Sequence, residues 1–239
     1  MRTAQPILTD SDLSKPEPAK TSNGLVPLTR DSLSDMAYNQ IRAALMSSRL
    51  RPGQKLVLRA LAAELHISPT PVREALLRLV SEFALELDPR GIVRVPVIDL
   101  ATYLEVRDLR IELEGRAAAA AALLATDEDI ADLMQTHDRF LAAERAGDAR
   151  AAGEANEDLH RKIYSLARMP VLLSLIENLR VRCGPVLASL FDPECTRDGD
   201  PNRHAMIIDG LRTHDPMIAR MGVEADIMAG WRTIAKRLT

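Results

Sequence analysis

Residues 67–79, ISPTPVREALLRL in one-letter code, constrain the fold of this chain more than any other segment. Pro69 and Pro71 cannot lie inside a helix, but they fit its first and third positions if Ser68 is the N-cap, because amides there have no intrahelical acceptor. The Ser68 hydroxyl would accept a hydrogen bond from the amide of Thr70. The segment therefore predicts a helix that begins at Pro69.

Two further helices are predicted before this segment. A helical period of apolar residues runs from Tyr38 to Met46 and ends before Arg51-Pro52-Gly53, which favours a turn. A second period runs from Leu58 to Leu65 and is followed almost at once by Ser68. Two short helices in this order, joined by three or four residues, are typical of a helix-turn-helix.

The helix that begins at Pro69 is amphipathic, and a hairpin is predicted after it. The residues expected on its core face are Val72, Leu76, Leu79, Val80 and Phe83. Residues 84–87 and 92–95 are predicted as two short strands around a turn at 88–91. This order predicts a winged helix-turn-helix over residues 30–97.

In a winged helix-turn-helix the second helix of the pair enters the major groove of DNA. Arg59, Thr70 and Arg73 would then face phosphates and base edges, and Arg90 at the tip of the wing would reach the backbone or the minor groove. The alternative is an ordinary helical pair with arginines on its surface.

The whole chain is expected to be a mainly α protein of two domains, since 239 residues exceed the usual size of one. Residues 1–29 contain four prolines without an apolar period and are expected to be a disordered tail. Residues 98–239 are expected to form an all-α bundle of six or seven helices, with a polar loop at 192–202. Thr126 and Asp129 predict a capping box, and Asp215 is a predicted N-cap.

The distribution of charge bears on the partners that we expect for this protein, and the length of its apolar runs bears on its expected location. Residues 30–97 carry ten Lys or Arg against seven Asp or Glu, whereas residues 98–239 carry 18 against 24. A basic module joined to an acidic domain suits DNA binding. The longest apolar run has nine residues, where a membrane span needs about 20. We therefore expect a cytoplasmic protein without a membrane partner, with Cys183 and Cys195 as reduced thiols.

Four polar residues beyond position 150 are spaced as metal ligands would be. Asn156 and His160 are four residues apart and project from one face of a helix. His204 and Asp226 lie at similar distances on either side of a predicted helical turn at 214–216, so an antiparallel hairpin brings them level. Asn156, His160, His204 and Asp226 would suit a divalent ion such as Zn, Ni or Mn. The alternative is that these are hydrogen-bonded residues of the bundle core.

Residues 30–97 resemble the GntR family of bacterial transcription regulators. The resemblance rests on Tyr38-x-x-Ile41-Arg42, Arg51-Pro52-Gly53-Gln54-Lys55-Leu56, Leu61-Ala62-x-x-Leu65, Ser68-x-Thr70-Pro71-Val72-Arg73-Glu74-Ala75-Leu76-x-x-Leu79 and Gly91-x-Val93. It implies DNA-binding roles for Arg59, Ser68, Thr70, Arg73, Arg90 and Gly91. Pro69 stands where the family usually has a guanine-reading arginine, and Phe83 where it usually has glycine.

Residues 98–239 look like the FadR-type helical effector domain, FCD, of the same family. The residues that carry this resemblance are Glu105-Val106-Arg107, Arg110-x-x-Leu113-Glu114, the alanines at 117–122, Asn156-x-x-x-His160, His204 and Asp226. A cation in the centre of the bundle with open coordination positions would attract a small carboxylate, which Arg107 or Arg110 would clamp as well. Salt bridges of these arginines with Glu105 or Glu114 are the alternative.

The function expected from the sequence is that of a homodimeric, ligand-responsive repressor of transcription that binds a palindromic operator. A metal-free acyl-chain pocket, or a helical domain that only dimerises, is the alternative for residues 98–239. A metal-dependent hydrolase is a second alternative, but the sequence offers no clear nucleophile with its base, so no enzyme is expected.

Overall fold

The computed structural model describes residues 33–47, 49–188, 190 and 204–238. The predicted tail at 1–29 and the predicted loop at 192–202 lie outside these ranges. The N-terminal part contains α1 (Leu33–Met46), α2 (Leu58–Glu64) and α3 (Pro69–Ser81). The predicted start of the third helix at Pro69 is confirmed. Ser68 takes the extended N-cap conformation, but its side chain accepts no capping hydrogen bond, so that detail of the prediction is wrong.

The end of α3 departs from the sequence prediction at Phe83. This residue adopts a left-handed conformation with φ 59°, after which the amides of Ala84 and Leu85 return to the carbonyl of Leu79. The turn directs the Phe83 side chain away from the core, and 66% of it is exposed. Helical periodicity placed Phe83 on the core face wrongly, because the helix ends two residues earlier, at Ser81.

Three short strands form the wing. They are β1 (Lys55–Leu56), β2 (Glu86–Leu87) and β3 (Val93–Arg94), and both β1 and β2 pair antiparallel with β3. The predicted hairpin is confirmed with shorter strands, while β1 was not predicted because two residues are too few to show alternation. At the tip the Asp88 carboxylate accepts hydrogen bonds from the amides of Arg90 and Ile92.

The C-terminal part is all-helical, as predicted. In the described ranges it contains α4 (Leu100–Ala122), α5 (Asp127–Ala146), α6 (Ala149–Leu166), α7 (Pro170–Arg182), α8 (Gly184–Ala188), α9 (Ala205–Arg212) and α10 (Pro216–Leu238). The capping box of Thr126 and Asp129 is present at α5. Asp215 caps α10 by accepting hydrogen bonds from the amides of Met217 and Ile218.

Helices α9 and α10 form an antiparallel hairpin in backbone contact. A Cβ atom added to Gly210 would lie 2.3 Å from the backbone nitrogen of Ala219, and one added to Gly222 would lie 2.8 Å from that of Ile207. Only glycine allows so close an approach. The hairpin thereby brings His204, just before α9, beside Asp226 on α10.

Helix α7 joins the two parts of the described chain. Val181, near its end, is buried in the same apolar cluster as Ile41, Leu45 and Leu79 of the N-terminal part. The guanidinium of Arg182 lies 5.5 Å from the centre of the Phe83 ring. Within the described residues, the structure contains no helix with the length and apolar character to span a membrane.

Candidate nucleic-acid interface and metal centre

The residues predicted to contact DNA lie on exposed positions of α2, α3 and the wing. Arg59 is in the first turn of α2, Ser68 and Thr70 begin α3, and Arg73 follows one turn later. None of Arg59, Arg73 and Arg90 forms an ion pair among the described residues. Their charges are therefore available for phosphates or base edges.

Arg78, on the same helix, has a different role. Its guanidinium lies 3.2 Å from both Asp35 and Glu82 and 3.8 Å from the centre of the Tyr38 ring. The Tyr38 hydroxyl donates to Glu82, and burial together with this bond raises the pKa of Tyr38 to about 12. This cluster ties α3 to α1 and leaves the start of α3 exposed.

Gly91 at the tip of the wing adopts φ 76°, a left-handed conformation that favours glycine. A Cβ atom at this position would meet nothing within 4 Å. The neighbouring Arg90 is exposed. The wing tip thus offers a tight turn with a free cation, as contact with a DNA backbone requires.

His160 on α6, His204 at the start of α9 and Asp226 on α10 form a cluster in which both histidines are buried and the aspartate is partly buried. One ligand atom from each lies within 4.8 Å of the other two. His160 Nε2 is 3.1 Å from Asp226 Oδ2, and His204 Nε2 is 3.6 Å from Asp226 Oδ1. Two imidazoles and a carboxylate in this spacing are a donor set that fits Zn, Ni or Mn. Asn156, the fourth predicted ligand, is half-buried one turn before His160 on α6.

The other ring nitrogen of His160 is hydrogen-bonded within the protein. Nδ1 lies 2.9 Å from the Tyr164 hydroxyl, which donates to Glu114 Oε2 at 2.5 Å. His160, Tyr164 and Glu114 are all buried. Nε2 is therefore the nitrogen of His160 that faces Asp226.

Glu114 is the centre of a buried ion cluster that the sequence did not predict. Arg110 Nε donates to it at 2.6 Å and Arg180 Nη1 at 3.1 Å, and Arg180 also donates to Glu157 at 2.6 Å. Burial alone would raise the pKa of Glu114, but the guanidinium groups of Arg110 and Arg180 outweigh it and hold the pKa at about 2. Glu114 is thus a permanent carboxylate inside the bundle.

The arginines predicted to bind the effector are engaged with carboxylates. Arg110 pairs with Glu114, the alternative that the sequence left open. Arg107 pairs with Asp108, 2.6 Å away, and not with Glu105. Arg107 also lies 5.0 Å from the centre of the Trp231 ring.

Sequence reasoning missed two members of this region. Arg180 is only 4% exposed although its type and position on α7 suggested no particular role. His137 of α5, to which the sequence assigned no role, is buried with its ring 5.4 Å from that of His204. Arg180 lies on α7 and His137 on α5. Each contacts residues that are distant in sequence, so its burial depends on tertiary packing that the sequence alone does not show.

A winged helix with an exposed basic edge, followed by a helical bundle, defines a DNA-binding regulator of transcription. Residues 33–95 match the family model described as bacterial regulatory proteins, gntR family, and residues 105–227 match the FCD domain. The chain therefore belongs to the GntR family, in the FadR-type group that carries an FCD domain. Members of this group regulate transcription and are not enzymes, so the hydrolase alternative is set aside.

Relatives of known name and structure share this organisation. The HTH-type transcriptional regulator McbR of Escherichia coli K12 is 35% identical over 187 residues, which are 77% of this chain and 84% of McbR. The HTH-type transcriptional repressor RspR of the same strain is 23% identical over 77% of this chain and 80% of its own. The solved structure of E. coli McbR/YncC superposes with a TM-score of 0.82 at 30% identity, over 88% of this chain and all of that one.

Proposed function

We propose that this protein is a homodimeric repressor that binds a palindromic operator and responds to a small carboxylate. DNA binding through the start of α3 and the wing is supported by Arg59, Arg73 and Arg90, which are exposed and form no ion pair among the described residues. In a dimer, two such surfaces would enter adjacent major grooves about 34 Å apart. The relative RspR is named a transcriptional repressor, which supports repression over activation in this proposal. Such a regulator acts in the cytoplasm, where bacterial DNA lies.

The effector site that we propose is the cluster of His160, His204 and Asp226, with Asn156 as a fourth ligand. A divalent ion of the type Zn, Ni or Mn held there would supply a positive charge that attracts a carboxylate. The spacing and burial of the three side chains support this assignment.

Arg107 and Arg110 are the arginines that we propose for effector binding, and they differ in how tightly their present carboxylate partners hold them. Two nitrogens of Arg110 already face the buried Glu114. The partner of Arg107 is the exposed Asp108, so an incoming carboxylate can replace it at little cost. Arg107 is thus the freer of the two to take a new anionic partner.

Helix α7 is the proposed route from this site to the DNA-binding part. Arg180 bonds Glu114 and Glu157, while the next residue, Val181, packs in the core beneath α1 and α3. A Cβ atom added to Gly184 of α8 would lie 3.1 Å from the carbonyl oxygen of Leu45, so α8 packs closely against α1. A shift of α7 on effector binding would therefore move α1 and α3 together and change the operator affinity.

The test combines metal analysis of the purified protein with a thermal-shift screen of small carboxylates, with and without chelator. We expect a bound divalent ion, and stabilisation by a carboxylate that disappears when the ion is removed. His204→Ala should lose the ion, whereas His66→Ala, an exposed histidine in the turn before α3, should keep it. Metal-independent stabilisation by long-chain acids would favour the acyl-chain pocket instead.

Operator binding gives the second readout. The carboxylate that stabilises the protein should change its affinity for DNA from its own promoter region, and should do so only in the metal-loaded form. An effector that stabilises the protein without any change in DNA affinity would contradict ligand-responsive regulation.

A further inference from the structure

We infer that Tyr164 and Glu114 are positioning residues for the metal centre: they fix the His160 ring so that Nε2 faces Asp226. This inference rests on the metal site proposed above. It assigns a role to two buried side chains that belong to the interior of the bundle and do not reach the ion themselves.

The direction of the hydrogen bonds follows from the number of available protons. Glu114 is ionised between Arg110 and Arg180 and can only accept, so the single proton of the Tyr164 hydroxyl goes to it. The Tyr164 oxygen, at 2.9 Å from His160 Nδ1, must then accept from that nitrogen. Nδ1 therefore carries a hydrogen, and Nε2 is the nitrogen that an ion would bind.

Packing keeps this chain of bonds in one arrangement. Tyr164 lies one helical turn after His160 on α6, whereas Glu114 comes from α4 and Arg180 from α7. Glu114 is fully buried and held by two arginines, so its carboxylate cannot turn to another partner. Three helices thus fix the orientation of one imidazole.

Outer groups that hydrogen-bond a metal-binding histidine select its tautomer and raise its basicity. Loss of such a group weakens metal binding by about 10- to 100-fold. Tyr164→Phe removes only the hydroxyl, and we expect the zinc affinity to fall within that range while the ring continues to fill its place in the core.

The matched control is Tyr103→Phe. Tyr103 is as buried as Tyr164, but it stacks on Trp231 at 5.5 Å and belongs to a different apolar cluster. It makes no hydrogen bond to the centre. We expect this variant to bind zinc as the wild type does.

The experiment measures the zinc affinity of the full chain by competition with a chromophoric chelator. NMR of ¹⁵N-labelled histidine then shows which ring nitrogen of His160 carries a hydrogen and which binds the metal. In the zinc-loaded wild type, His160 should show a slowly exchanging Nδ1 hydrogen and a metal-bound Nε2. Tyr164→Phe should lose the slow exchange and bind zinc 10- to 100-fold more weakly. A role in packing alone would leave both unchanged.

Two results would overturn the inference, and a third concerns the metal site itself. Zinc affinity of Tyr164→Phe equal to that of Tyr103→Phe would show that the hydroxyl positions nothing. A zinc-loaded wild type with zinc on Nδ1 of His160 would contradict the assigned hydrogen bonds. A wild type that binds no divalent ion would refute the proposed site before any variant is compared. Glu114→Gln, if it folds, should weaken zinc binding in the same direction as Tyr164→Phe.

Discussion

Substitution of Gly210 by alanine should destabilise this protein because it would separate α9 from α10. The added Cβ atom would lie 2.3 Å from the nitrogen and 2.7 Å from the Cα atom of Ala219. The first distance is about 1 Å short of the 3.4 Å at which ordinary contact begins. Backbone atoms cannot rotate away, so the two helices must move apart.

The loss in the free energy of unfolding caused by Gly210→Ala can be estimated from the usual cost of similar substitutions. Overpacking in a core costs about 1–3 kcal/mol, and a backbone clash belongs at the upper end. Alanine is the better helix former by about 1 kcal/mol, which offsets part of this cost. The free energy of unfolding should therefore fall by about 2 kcal/mol, which lowers the melting temperature by about 4–8 °C.

Gly115→Ala is the matched control, because Gly115 also lies in a helix that faces α10. Its added Cβ atom would meet the Cγ of Arg220 at 3.1 Å, and the Arg220 side chain is 40% exposed and can move. We expect this variant to be as stable as the wild type or up to about 1 kcal/mol more stable.

Thermal unfolding and zinc titration of both variants test the argument. Movement of α9 would also shift His204 relative to Asp226, and metal–ligand distances tolerate only about 0.2 Å, so Gly210→Ala should bind zinc more weakly. Equal melting temperatures for Gly210→Ala and Gly115→Ala would refute the claim that the two helices meet through their backbones.

Three further predictions concern local contacts. The pKa of Glu114, held at about 2 in the folded protein, lies below its usual 4.5. Its stabilisation is therefore complete above about pH 4.5 and is lost as the pH falls towards 2. Urea unfolding between pH 6 and pH 3 should show this loss, and Glu114→Gln should be less stable at pH 7 with a weaker dependence on pH. Asp215→Ala removes the cap of α10 and should lower the unfolding free energy by about 1 kcal/mol, whereas Asp108→Ala, at an exposed helical position, should not. Phe83→Gly should be about 1 kcal/mol more stable than Phe83→Ala in denaturant unfolding, since φ 59° suits only glycine without strain; equal stabilities would contradict strain at this residue.

The sequence was sufficient for most features that local chemistry determines, although the Ser68 capping bond and the side of the helix end taken by Phe83 were predicted wrongly. Pro69 could only begin a helix, and Asp215 before Pro216 could only cap one, and the structure confirms both. The convergence of His204 with Asp226 followed from equal distances to one helical turn. These features depend on residues that lie close together along the chain.

The parts that could not be predicted depend on contacts between distant segments. The ion cluster around Glu114 joins α4 to α7 across 66 residues of sequence, and an isolated Arg-x-x-x-Glu pattern cannot show that Arg180 will arrive. His137 of α5 packs against His204, which lies 67 residues further along the chain. Strand β1 is too short to carry a period, and it forms because β3 offers it a free edge.

The most direct test of the whole account is the binding of the full-length protein to DNA from its own promoter region, measured by fluorescence anisotropy over a range of salt. We predict specific binding with an affinity that falls steeply as salt rises, because arginines replace counterions at the phosphates. Arg73→Ala should weaken this binding, whereas Arg78→Ala, which removes an arginine paired with Asp35 and Glu82, should affect stability more than affinity. Binding that is absent, or the same for wild type and Arg73→Ala, would contradict DNA recognition by the exposed start of α3.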